Sequence, residues 1–262
     1  GSKDMKTVKG INRYFSVGVP MEWIKNYVKD QSYEPGNKKT DAMYTFLRDA
    51  KMTEKRKLTD FGQFMLKRDF NDEKTWAILL CNLAYSPAFN WYITNIPFDV
   101  DYTSETAALD LADASKHAIG EFWNAFKTIL DSNSCLQLIG FGIPEIESKT
   151  TKMGDVKKKM LSLRRTAWMN PDSLTILYSL YKFAEACGGY YQFSLSTLLD
   201  DSIERDGVSP TRIFGLGEDE MKRILNGLSS NYPDFISASF TLDLDNITLR
   251  SEKTADDVLQ LF

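Results

Sequence analysis

Apolar residues recur at intervals of three and four along most of this chain, and the interruptions divide it into three stretches. In "PMEWIKNYVKDQ" the side chains of Trp23, Ile24, Tyr27 and Val28 share one helical face, and Pro20 stands near the helix start, where a missing N–H is tolerated. Pro35-Gly36 in "SYEPGNKK" is a turn signal. "TDAMYTFLRDAKM" reads as a second helix, with Ala42, Met43, Phe46, Leu47 and Ala50 on one face. A short basic hairpin or loop, "TEKRK", follows, and "TDFGQFMLKR" resumes a helix with Thr59 as N-cap. The order helix, turn, helix, basic ribbon predicts a winged-helix-like unit over residues 11–70.

Residues 71–168 read as a helical middle region. "DEKTWAILLCNLAY" and "KHAIGEFWNAFKTIL" are predicted core helices, with "SPAFNWYITNIPFDVDYTS" as an irregular aromatic connector. "DVKKKMLSLRRTAWM" reads as an amphipathic helix, with Val156, Met160, Leu163 and Trp168 inside and its bases outside. In residues 169–262, Asn170-Pro171-Asp172-Ser173 caps the apolar helix "LTILYSLYKFAEAC" and Gly188-Gly189 ends it. A short helix "FSLSTLLDD", a loop "RDGVSPTRIFGL" and the helix "GLGEDEMKRILNGL" come next. "FISASF" and "NITLR", joined by "TLDLD", pattern as a hairpin, and "TADDVLQLF" as a terminal helix. The expected fold class is mainly α: winged-helix-like units with short β-hairpins flanking a helical middle region.

Charge sharpens this picture. The 262 residues carry a formal net charge of −4, which alone opposes nucleic acid. The distribution is polarised, however. Lys38 to Arg68 holds nine Lys/Arg against four Asp/Glu, and Lys149 to Arg165 holds seven against one. Pro97 to Asp131 has seven acids against two bases, and Ser196 to Phe262 thirteen against six. The candidate nucleic-acid contacts are therefore Lys38, Lys39 and Arg48 on the second helix, Lys55, Arg56 and Lys57 on the ribbon, and Lys157, Lys158, Lys159, Arg164 and Arg165 further on. Lys38 and Lys39 open a helix whose dipole also favours phosphate, and Thr40, Asp41 and Tyr44 are candidate base readers. Glu218, Asp219 and Glu220 suit the first turn of their own helix and would repel a phosphate backbone, so the C-terminal unit fits a protein partner better.

No catalytic set stands out. The phosphate-binding loop G-x-x-x-x-G-K-[ST] is absent, and the pairs Gly140/Gly142 and Gly215/Gly217 read as helix terminators. A Ser-His-Asp or Cys-His nucleophile would have to use the single histidine, His117, which reads as structural. Asp243 and Asp245, two apart, would share a strand face and offer oxygens to a divalent cation, though a polar turn explains them as well. No metal site and no cofactor is expected. Cys81, Cys135 and Cys187 are far apart in apolar surroundings, as expected of buried thiols in the reducing cytoplasm. Gly1-Ser2, without an initiator Met, reads as the remnant of a removed tag, so the chain is expected to be part of a longer protein.

"SPTRIFGLGEDEMKRILNGLSSNYPDFISASFTLDLDNITLR", together with "LTDFGQFML" and "DEKTWAILLCNLAYSPAFNWY", resembles a helical family of bacterial DNA phosphorothioation and phage-defence operons. That family occurs as a separate protein of the SspB type. It also occurs as the C-terminal part of large proteins of the phosphoadenosine phosphosulfate (PAPS) reductase or sulfotransferase class. The resemblance covers residues 11–262 and is clearest at the C-terminus. It implies a role in sulfur modification of DNA or defence built on it, by engaging DNA or the modifying complex. With no catalytic set in view, the chain reads as a non-catalytic DNA-binding and scaffolding region of a PAPS reductase-related protein, with DNA and other proteins of such an operon as partners and no membrane. SspB-type relatives are associated with DNA nicking, but no nicking motif maps onto this chain, and the Ser-Gly-Gly-x-Asp-Ser loop of the PAPS reductases is missing. A metal-dependent nickase using Asp243 and Asp245 is the enzymatic alternative, and a protein-interaction module without DNA binding is the third.

Overall fold

The computed structural model describes residues 9–262. A turn-rich segment over residues 9–17 leads to α1 (Met21–Lys29) and α2 (Asn37–Asp49), both buried on one face as their apolar spacing predicts. β1 (Thr53–Glu54) and β2 (Lys57–Leu58) form a two-stranded hairpin, and Thr59 caps α3 (Asp60–Leu66) by accepting the Gly62 N–H at 2.9 Å. α4 (Glu73–Leu83) is apolar almost all round, so it is buried all round. The aromatic stretch expected to be irregular is instead α5 (Pro87–Asn95): Pro87 occupies the first helical turn, where it needs no donor, and Ala88, Phe89, Trp91, Tyr92 and Ile93 are buried. β3 (Tyr102–Thr103), α6 (Ser104–Asp110), α7 (Lys116–Asp131) and α8 (Ser134–Ile139) follow. Gly140 ends α8 in the left-handed conformation (φ 82°), the terminator role its sequence suggests.

The largest departure from expectation comes next. Residues 156–164, predicted as an amphipathic helix, are strand β5 (Val156–Arg164), paired antiparallel with β4 (Ile143–Thr150) and on its other side with β3, giving the order β3-β5-β4. Met160 and Ser162 face the interior with a period of two, and the Trp123 indole donates to the Met160 carbonyl at 2.9 Å, seating the sheet on α7. Val156, assigned to the core, is 62% exposed.

The remainder comprises α9 (Ser173–Ala186), β6 (Gln192–Phe193), α10 (Leu195–Leu199), α11 (Pro210–Phe214), α12 (Glu218–Asn231), β7 (Ile236–Thr241), β8 (Leu244–Leu249) and α13 (Ala255–Leu259). Its sheet runs β6-β8-β7. Asp172 caps α9 through the Thr175 N–H, while α11 is a helix where a loop was expected. The chain is thus 48% helix and 15% strand, with three small sheets. That mixed α/β architecture replaces the mainly α, winged-helix-like expectation.

One cluster of buried apolar residues runs from Ile11 to Leu259. Asn82 ties it across the three stretches: its amide donates to the Ala50 carbonyl beyond α2 at 3.2 Å and accepts the Tyr178 hydroxyl of α9 at 3.1 Å. No helix among the described residues is long and apolar enough to cross a membrane.

Candidate nucleic-acid interface

α2 begins without help. Its N-cap is Gly36, which offers no side-chain cap, and its first turn holds Lys38 and Lys39 with no acid. Cations at the positive end of a helix dipole are unfavourable by themselves. Both lysines are exposed, and Lys38 rests its ammonium 4.4 Å from the centre of the Phe15 ring. Further along the helix, Arg48 is also exposed.

The β1–β2 hairpin stands beside the helix. Its two-residue turn is Lys55-Arg56, with φ of 52° and 61°, left-handed angles normally given to Asn or Gly in such turns. Holding two long basic side chains there costs backbone energy, on the order of 1 kcal/mol per residue. Arg56 folds back to pair with Asp41 (2.7 Å) and to cover the Tyr44 ring (4.7 Å). A groove of about 280 Å³ runs between α2 and the hairpin, lined by Asp41, Tyr44, Arg48, Thr53, Lys55 and Arg56. Lys55 and Lys57 are exposed, as is Lys51, a base at the end of α2 that the helical spacing did not single out.

Of the acids in this stretch, Asp41 is taken up by Arg56, Glu54 is exposed on β1 across from Lys57, and Asp49 is turned inward. Asp49 is buried and receives two bonds from Arg13 (2.8 and 2.9 Å) and one from the Tyr14 hydroxyl (2.6 Å). Burial raises its pKa against the pull of those three donors. Among the described residues, Lys39, Lys51, Lys55 and Lys57 have no ion-pair partner. Two of the candidate base readers are already used. Thr40 is buried and accepts the Gly36 N–H, and Asp41 holds Arg56.

The second group of predicted contacts divides. Lys157, Lys158 and Lys159 lie on β5, exposed and alternating between its faces rather than lining a helix. Lys158 pairs with Asp131 at the end of α7 (2.9 Å), and Arg164 with Asp101 (3.0 Å). Contacts link these lysines to α2: the Lys127 ammonium donates to the Lys158 carbonyl, Gly18 packs against Ala125 and Thr128, and Lys38 lies on nearby Phe15. Lys127 joins the candidate set through that contact, and Lys149 and Lys152 through their place on the same hairpin as Lys157.

Arg165 leaves that set. It is 1% exposed, and its guanidinium donates to the carbonyls of Ile93 and Ile96 at the end of α5 (3.0 and 2.7 Å) and of Arg212 and Ile213 in α11 (2.9 and 3.4 Å). Its charge lies 4.0 Å from the Phe98 ring centre. Buried without a carboxylate, it relies on the negative ends of two helices, and burial depresses its pKa to about 10. It staples helices together and cannot touch a phosphate.

The carboxylate pair also takes a structural form. Asp243 sits in the β7–β8 turn, whereas both oxygens of Asp245 accept N–H groups of Leu195 and Ser196 (2.8 and 3.0 Å), capping α10. Among the described residues, no three His, Cys, Asp or Glu side chains converge to hold a metal ion. His117 is exposed and pairs with Glu121 at 3.1 Å. Cys81 and Cys135 are buried thiols, the former pushed up to about 12 by burial, and Cys187 is half-buried.

No protein-family model matches the sequence, and no curated protein matches it. The fold, however, is similar to that of a magnesium-bound crystal structure of SspB. The TM-score is 0.68 at 13% identity, over 97% of this chain and 87% of that one.

Proposed function

We propose that the chain binds duplex DNA through its basic face and serves as a non-catalytic, DNA-engaging scaffold in bacterial DNA sulfur modification or a defence system built on it. The observation that carries this reading is the start of α2. Lys38 and Lys39 occupy the one place in a helix where cations are electrostatically costly, with unpaired Lys55 and Lys57 alongside. A phosphate would be held there by backbone N–H groups, dipole and ammonium groups together. The likeness to SspB supports the connection to phosphorothioation, and membership of a larger PAPS reductase-related protein belongs to the same proposal. Partner proteins of the same system would meet the acidic C-terminal end.

The test is fluorescence anisotropy with a labelled duplex of random sequence at two salt concentrations. Binding through several phosphates should weaken on a log–log salt plot with a slope of about −0.9 per contact. If changing Lys38, Lys39, Lys55 and Lys57 to Glu leaves the affinity unchanged, the reading fails.

A further inference from the structure

Past Met160 the β4–β5 hairpin narrows to a ribbon that Lys127 and Asp131 of α7 hold at Lys158, and beyond Lys158 it leaves the body of the protein. Ser148, Lys149 and Thr150 on one strand and Val156 to Lys159 on the other are exposed on both faces. Val156 lies two positions beyond Lys158, so roughly 7 Å of paired ribbon, with the apex loop beyond it, projects at ~3.3 Å per residue. Lys149 stands directly across from Lys157. Like charges in that position weaken a ribbon, and Glu147, 3.2 Å from Lys149, offsets only part of the repulsion. Lys152 and Lys157 have no ion-pair partner among the described residues. Asp155 is the one acid of the apex loop.

That loop is closed by hydrogen bonds. The Thr151 N–H donates to the Asp155 carbonyl (2.7 Å), the Gly154 N–H to the Thr151 carbonyl (2.9 Å) and the Asp155 N–H to the Thr151 hydroxyl (3.2 Å). Its apex displays Met153, 90% exposed, and Val156 beside it is 62% exposed. An apolar tip flanked by unpaired lysines has the chemistry of a wedge that enters a DNA groove, parts a base step and bends the duplex. Apolar exposure alone would not carry this. Leu242 at the β7–β8 apex is also bare, but it adjoins Asp243 and has no lysine near it in sequence.

Resting on the DNA-binding reading above, we propose that the β4–β5 hairpin is an arm that grips duplex DNA, with Lys149, Lys152 and Lys157 on the phosphates and Met153 pressed into the base stack. B-form DNA is the occupant because its grooves admit a two-stranded ribbon, whereas the narrow major groove of A-form RNA does not.

The experiment uses the full chain and a 24-base-pair duplex labelled at both ends, with energy transfer reporting bending and anisotropy reporting affinity. The wild-type complex should show raised transfer. Met153→Ala should bind within about threefold of wild type yet lose most of the bend, since a wedge exchanges unstacking for wrapping. Lys152→Ala with Lys157→Ala should flatten the salt slope by about 2, one per phosphate contact. Circular dichroism checks folding, which these exposed positions leave intact. Unchanged transfer in the wild-type complex, a full bend in Met153→Ala, or equal affinity for duplex RNA overturns the arm while DNA binding stands. Absence of salt-dependent duplex binding overturns both readings.

Discussion

α2 and α12 are helices of similar length, each followed by a β-hairpin, and their first turns carry opposite charge. α12 opens with Glu218, Asp219 and Glu220, and Lys222 and Arg223 follow to pair with Glu218 and Glu220. Every one of those charges is accounted for by the helix itself: acids at the positive end of the dipole, bases one turn on. The α2 first turn has two lysines, no acid and no side-chain cap, and its hairpin places Lys55 and Arg56 at left-handed angles. A self-sufficient charge pattern says little about function. A pattern that costs the free protein something points to a partner that repays it.

The contrast concerns surface charge, so buried charge must behave differently. Arg165→Ala should destabilise by about 3–5 kcal/mol, because it strands carbonyls that now share a buried cation. Per folded molecule, DNA affinity should not change. Urea unfolding alongside anisotropy checks this, and a specific loss of binding would return Arg165 to the interface. The next largest effect compares the two helices directly. Changing Lys38, Lys39 and Lys55 to Glu should weaken duplex binding on the order of 100-fold at low salt, from lost phosphate contacts plus repulsion. Changing Glu218, Asp219 and Glu220 to Lys should not weaken it. Equal losses from both sets would erase the distinction.

Below the surface the two ends should be indistinguishable. Burial raises the pKa of Tyr14 in the N-terminal stretch and of Tyr178 in α9. A group whose folded pKa lies above its unfolded value stabilises fully below the unfolded pKa and loses that contribution as pH rises past it. Stability should therefore fall above pH 10, by about 1.4 kcal/mol per such tyrosine for each pH unit. Arg165, with its depressed pKa, acts in the opposite sense over that range. Because one core cluster spans both ends, a single cooperative transition is expected. Two separated steps in alkaline calorimetry would show independent units. The smallest effect is the sharpest discriminator: at low salt without DNA, Lys38→Glu with Lys39→Glu should raise the melting temperature by about 1–3 °C, while Glu218→Lys with Glu220→Lys lowers it. A change that weakens binding would then stabilise the free chain.

The parts legible in the sequence are those with local causes. Thr59 and Asp172 cap helices because their side chains reach the N–H group three residues on. α4 and α9 were visible as apolar runs, and the β7–β8 hairpin as two short β-rich runs. β5 does not show in the periodicity because Val156, Met160 and Leu163 fit a helical spacing and lysine is a good helix former. The Gly154-Asp155 turn, with "IPEIES" before it, was the available sign of a hairpin. Within the candidate interface, the α2 and β1–β2 bases were legible because the turn places them next to one another. Lys51, Lys127 and Lys152 had no periodic signal.

By itself the sequence determined the capped starts of α3 and α9, the polarity of charge and the self-contained first turn of α12, all of which depend on neighbours within about four residues. Only the tertiary structure decided that residues 156–164 pair as a strand, that Arg165 is spent on the ends of α5 and α11, and that Asp245 caps α10. Each depends on a partner outside that window, and what selects it is a backbone donor or acceptor of one segment meeting the group in another that satisfies it.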